Sequence, residues 1–476
     1  MKNLIIGIDG GDLEIFEKFD MPFLKSLIEK GKKVELTENL LSRGWVEIIS
    51  GKYAKDNKSF YIFPKLDGTH DFSLSYSFGD LIKNNDGSPL IWELAEKKGY
   101  KIGVMNVPTT YPAPKKINGF FVSGAGGGLY SVEGIPEEMC SDKETQDLLT
   151  KNGYILELRF KPSGITDKKE MFEKMNLMMK KRFQSYTELA KKNNIDFGFI
   201  ALRATANLQY VIMSEIKNLF DLKNNKKNTW EKYIKEHYEI LDKEIEKIFF
   251  QLKPDNFVIT ADHGMTNQEY HSNYNVFLNR NNYLKKDITL LEILKYSIKR
   301  IIFPIKNLWG YRYLKPSIEK INWEKTKVFG GWYSNGLYIN DQKRFNGPVI
   351  ESEINNLVKE VCDQFNKSAE AKKFNLQALP YRDKYKNSKF YDFLPDIRIK
   401  APDNIFFLGK GPRTINQNPW FKIIKSLKHI PSSMFTGTKG RHPVCIMNKE
   451  LANLIKEDDI KDLTLIYKIM ERYFQL

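Results

Sequence analysis

Three residues of this 476-residue chain have the types and positions to hold a metal ion: Asp9, Asp262 and His263. Two carboxylates and an imidazole are the oxygen and nitrogen donors that a catalytic Zn²⁺ takes while one position stays open for water or substrate. Singly, each has a plainer explanation. Asp9 could cap a helix after a tight turn, and His263 could be a turn histidine held by hydrogen bonds. Together the metal reading leads, because Gly10, Gly11 and Gly264 beside them permit close backbone approach.

The apolar runs show what must position these groups. Residues 4–8 form a continuous apolar strand ending at Asp9, and residues 256–260 form another ending at Ala261-Asp262-His263. Between them strands (99–107, 197–202) alternate with helical patterns (22–29, 91–98, 169–193, 230–250). That alternation specifies an α/β fold, a doubly wound, mostly parallel sheet. Side chains just past its strand ends face the crevice where ligands collect. Residues 286–320 are basic and aromatic without a clear strand, and are read as an inserted cap between core segments 1–285 and 321–476. Within the insert, residues 293–303 suit either peripheral contact with an anionic membrane or cover for the protein's own surface.

At this length a single core is near its ceiling, so one large domain with an insertion, or two domains, is expected. Aromatic residues at 13% exclude disorder as a global state. No run approaches the roughly 20 apolar residues of a membrane-spanning helix. The five-residue run before Asp9 is too short for a secretory signal. Cys140, Cys362 and Cys445 are odd in number and widely separated, which makes neither a disulfide framework nor a zinc cluster. A cytoplasmic location is expected. The net charge of +16 suits anionic partners. Lys- and Asn-rich usage alone gives the same excess, and no nucleic-acid-binding motif accompanies it.

Further motifs appear in order: Ile6-Gly7-Ile8-Asp9-Gly10-Gly11, Asn106-Val107-Pro108-Thr109-Thr110-Tyr111-Pro112, Thr260-Ala261-Asp262-His263-Gly264, Asn273-Tyr274-Asn275-Val276-Phe277-Leu278, residues 321–327 with 336–340, and residues 437–442. In this set the chain resembles the alkaline phosphatase superfamily, in its type I phosphodiesterase / nucleotide pyrophosphatase branch. The resemblance implies hydrolysis of phosphate mono- or diesters with two metal ions, usually zinc. It assigns Asp9, Asp262 and His263 to one metal and His442 to the other. The remaining ligands of the second metal would fall at Ala206 and Tyr210, which offer none, so one zinc is expected rather than two. One ion would lower the nucleophile's pKa and another would stabilise charge on a phosphoryl oxygen.

The family's nucleophile lies ten residues before a glycine matched by Gly51. That position is Leu41, and Ser42 is one step away, with Arg43 beside it as a phosphate clamp. Ser42, after a strand expected at 34–36, is read either as the nucleophile or as the cap of a helix beginning near Trp45. Residues 124–128 read as a loop near the cleft, His271 as a surface histidine and Cys445 as core.

The leading function is a metal-dependent hydrolase of phosphate esters with a degenerate second site, acting on a phosphorylated small molecule, sugar or lipid. The alternatives are a transferase moving a phosphoryl-type group between sugars or lipids, and a silent member that binds a phosphorylated ligand or a protein partner. A shared fold does not choose among them.

Overall fold

The computed structural model describes residues 1–38, 40–124, 134–158, 165–220, 230–287, 321–409, 411–418, 429–431 and 435–475. Its centre is a seven-stranded sheet of β1 (Asn3–Ile8), β2 (Lys32–Lys33), β3 (Ile102–Met105), β4 (Gly119–Val122), β5 (Phe197–Leu202), β6 (Asn256–Thr260) and β7 (Cys445–Met447). The spatial order is β2-β7-β6-β1-β5-β3-β4. The five strands from β6 to β4 run parallel, and β7 joins β6 antiparallel. The expected doubly wound α/β fold is present.

Both faces of the sheet are covered because successive side chains of a strand point to opposite sides. From β1, Leu4, Ile6 and Ile8 join a core packed with the helices α2 (Lys168–Asn193), α3 (Ala204–Leu219) and α4 (Glu231–Leu252). Ile5 faces the other way, into a core shared with α1 (Gly44–Ser50), the Ile91–Lys97 helix and α5 (Thr464–Phe474). Buried on both faces, such strands read as unbroken apolar runs.

Within residues 321–476, read from the sequence as a core segment with 1–285, Val328–Gly330, Gly336–Ile339, Ile397–Lys400 and Gln377–Pro380 pair antiparallel into a separate sheet. With the Ile354–Lys367 helix it encloses its own apolar cluster around Phe329, Leu337, Val361 and Phe365. Below that cluster the buried Arg344 bridges Asp341 at 2.6 Å and Asp396 at 2.5 Å. The chain returns to the parallel sheet only at β7. Residues 288–320, which hold most of the expected insert and the stretch read as membrane-facing, lie outside the described residues, as do residues 125–128 of the glycine cluster. Among the described residues, no helix is long and apolar enough to cross a membrane.

Candidate metal centre

Three neighbouring strands end at one place. Asp9 follows β1, Arg203 follows β5, and Asp262 lies two residues past β6. The register aligns Ile8 with Leu202 and Gly7 with Thr260, so the three chain ends emerge side by side. After Asp9 the chain turns sharply. Gly10 has φ +68°, a conformation that disfavours other residues, and Gly11 N–H donates to the Ile8 carbonyl at 2.7 Å.

The turn leaves the Asp9 carboxylate facing Asp262 and His263, all three buried. His263 Nε2 lies 3.5 Å from Asp9 Oδ1 and 3.5 Å from Asp262 Oδ2. The tautomer follows from one contact. His263 Nδ1 is 2.8 Å from the Gly264 carbonyl, which can only accept, so Nδ1 carries the proton. Burial, with Lys439 next, pushes the His263 pKa down to about 3, so Nε2 presents a bare lone pair at neutral pH. That lone pair joins the two carboxylates as a third donor for a metal. Burial, then the charge of Asp9, pushes the Asp262 pKa up to about 8, which measures how poorly two bare carboxylates tolerate each other here.

A cation resolves this. Ligand atoms of a tetrahedral zinc with bonds near 2 Å stand roughly 3.3 Å apart, close to the separations observed. The three donor atoms lie within 4.8 Å of one another, and the buried Asp262 Oδ1 accepts no hydrogen bond. The donor set fits a divalent ion with one position left open.

Helix α1 supports the cluster from its N-terminal end. A Cβ on Gly44, its first residue, would stand 2.3 Å from the Asp262 carbonyl oxygen. Only glycine lets the helix start that close. One residue on, the Trp45 ring lies across Gly7, and its Nε1–H points to Asp9 Oδ2 at 3.4 Å.

The other expected residues make different contacts. Ser42 is buried, and its Oγ accepts from the Ala54 amide at 3.1 Å, the first amide of the Ala54–Asn57 helix. The N-cap of α1 is Arg43, without a side-chain capping bond. The Arg43 guanidinium donates to the Leu74 carbonyl and lies 5.8 and 5.6 Å from the Tyr61 and Tyr76 rings. His442 is exposed and is not among the converging ligands; its backbone carbonyl, not its ring, packs beside Gly264. His271 is half-buried and meets Gln268 Nε2 at 2.7 Å. Ala206 is buried beside Gly10, and the Tyr210 ring lies 6.5 Å from that of His263, so both face the cluster without supplying a metal ligand.

Two cations that the sequence reading passed over do approach it. Arg203 Nε stands 3.3 Å from Asp9 Oδ2, and its Nη1 lies 3.2 Å from Glu157 Oε2. Lys439 Nζ stands 3.9 Å from Asp262 Oδ2 and 4.5 Å from the centre of the Tyr61 ring. Arg203 carried a usable signal, since it follows β5 directly, as Asp9 follows β1.

The family model described as type I phosphodiesterase / nucleotide pyrophosphatase matches residues 3–420, which include Asp9, Asp262 and His263 and end before Lys439 and His442. Among solved structures, the phosphonoacetate hydrolase of Sinorhizobium meliloti 1021 in complex with phosphonoformate superposes with a TM-score of 0.56 at 10% identity, over 99% of this chain and 95% of that one. A murine ectonucleotide pyrophosphatase / phosphodiesterase 5 gives 0.46 at 12% identity, over 100% and 95%. No curated protein matches the sequence.

Proposed function

The chain belongs to the type I phosphodiesterase / nucleotide pyrophosphatase family, within the alkaline phosphatase superfamily, and from that premise we propose that it hydrolyses phosphate esters with one divalent ion, zinc, held by Asp9, Asp262 and His263. The observation that carries the reading is the convergence of two buried carboxylates on the Nε2 of a neutral imidazole. A bound ion there would lower the pKa of an attacking oxygen and stabilise charge on a phosphoryl oxygen. The residues of the chain do the rest. Gly264 fixes the His263 tautomer, Trp45 donates to Asp9 Oδ2 so that Oδ1 faces His263, and the strand ends hold the ligands in register. Ser42 remains our assignment for the nucleophile. It would have to exchange its contact with the Ala54 amide for one with substrate.

The test is zinc content of the dialysed protein, with turnover of aryl phosphate mono- and diesters. About one zinc per chain is expected, with both zinc and turnover lost in Asp262→Ala. Ser42→Ala should retain the metal and lose turnover by orders of magnitude. Unchanged turnover in Ser42→Ala would move the attack to another oxygen. One observation favours the silent-member reading: Arg203 and Lys439 already stand beside the two carboxylates. A wild-type chain that takes up no zinc would establish it.

A further inference from the structure

Arg203 and Lys439 stand beside the carboxylates, and neither is well satisfied by them. Arg203 Nε is buried and makes no aligned hydrogen bond despite lying 3.3 Å from Asp9 Oδ2. Lys439 Nζ, at 3.9 Å from Asp262 Oδ2, is beyond hydrogen-bond range. Both side chains retain about a quarter of their exposure, 24% and 26%, whereas the three ligands are closed off. They therefore lie on the side of the cluster from which a ligand enters.

The charges point the same way. With a divalent ion among Asp9, Asp262 and His263, the two carboxylates are matched by the ion alone. Arg203 shares Glu157 with the buried Arg182, whose Nη2 lies 3.9 Å from Glu157 Oε2. Lys439 has the Tyr61 ring and, farther off, the buried Glu38, which shares its environment with Glu47. A surplus of positive charge is left facing the open position. That is an anion site, with a planar guanidinium suited to two oxygens of one phosphoryl group and an ammonium suited to a third.

We infer that Arg203 and Lys439 are substrate-binding residues that grip the non-bridging oxygens of the phosphoryl group beside a single metal. They would do with fixed side chains what a second ion would otherwise do. The inference rests on the metal-centre reading above and adds to it which groups hold the anion.

The experiment is calorimetric titration of the zinc-loaded full chain with inorganic phosphate at near-neutral pH, alongside zinc content and circular dichroism. Wild-type protein should hold one zinc and bind phosphate. Lys439→Met and Arg203→Gln should keep the zinc and weaken phosphate about ten- to a hundredfold each, since each loses a charge-assisted contact. Lys439→Arg should recover most of the affinity. Phosphate affinity within about twofold of wild type in Lys439→Met, with zinc retained, would overturn the inference and leave the metal reading standing. Tighter zinc with unchanged phosphate in that variant would also overturn it, making the lysine a mere counter-charge. Absence of zinc from the wild type would instead remove the metal reading itself. Should Arg203→Gln misfold because Glu157 loses its partner, Lys439→Met decides alone.

Discussion

Trp45 touches Asp9 through a single long contact, yet the chain gives up a side chain at residue 7 to accommodate it. A Cβ on Gly7 would lie 2.4 Å from the Trp45 ring, so glycine there is what allows the indole to cross β1 and reach the carboxylate. Groups that orient a ligating residue commonly matter to metal affinity. Trp45→Phe keeps most of the packing and removes the N–H, and because that contact is 3.4 Å long the expected loss of zinc affinity is at most about tenfold. Competition with a chromogenic chelator measures it. At this scale the legible residues were those fixed by a strand end. Asp9, Asp262 and His263 could be found because an apolar run stops beside each. Ser42 and Arg43 could not be assigned, because their roles depend on where α1 starts and on contacts with Ala54, Leu74, Tyr61 and Tyr76 that no spacing encodes. Lys439 sits in a motif whose histidine drew the attention, three residues further on.

One imidazole holds three helices together. His237 of α4 meets Asn176 Oδ1 of α2 at 2.6 Å through Nδ1 and Thr205 Oγ1 of α3 at 3.3 Å through Nε2. Burial pushes its pKa from 6.5 down to about 3. The sign follows directly. Below pH 6.5 the unfolded chain takes up a proton that the folded chain refuses until about pH 3, so stability present above 6.5 is lost as pH falls through that window, at roughly 1 kcal/mol per pH unit. Urea unfolding between pH 7 and 4 should therefore be less pH-dependent in His237→Gln by close to one proton; an identical slope would show that the histidine charges without unfolding. Strands 197–202 and 256–260 were readable to the residue, since burial on both faces makes them continuous and apolar. The strand expected at 34–36 is absent. There Val34, Thr37 and Glu38 donate in turn to the carbonyls of Cys445, Lys461 and Arg441, a bridging path with several partners instead of one ladder.

The molecule is a parallel sheet whose ligands are tied across β1 and β6, joined to an antiparallel unit with its own core. The first was legible from alternation. The second was not, because its strands are three or four residues long and Gln377–Pro380 is paired with Ile397–Lys400 across an irregular connection. A metal that binds only the folded sheet stabilises it by mass action. Chelator treatment should accordingly lower the melting temperature of the zinc-loaded wild type by a few degrees and leave Asp262→Ala unmoved, as scanning calorimetry would read. The central position of β1 has another consequence, in time. Its neighbours are residues 197–202 on one side and 256–260 on the other. A ribosome adding roughly 5–20 residues per second completes the second of them roughly ten seconds to a minute after β1 has emerged. Until residues 197–202 are made, residues 3–8, all buried in the finished fold, have neither neighbouring strand to pair with. Asp9 is the first of the three ligands to be synthesised and the one that waits longest for the others.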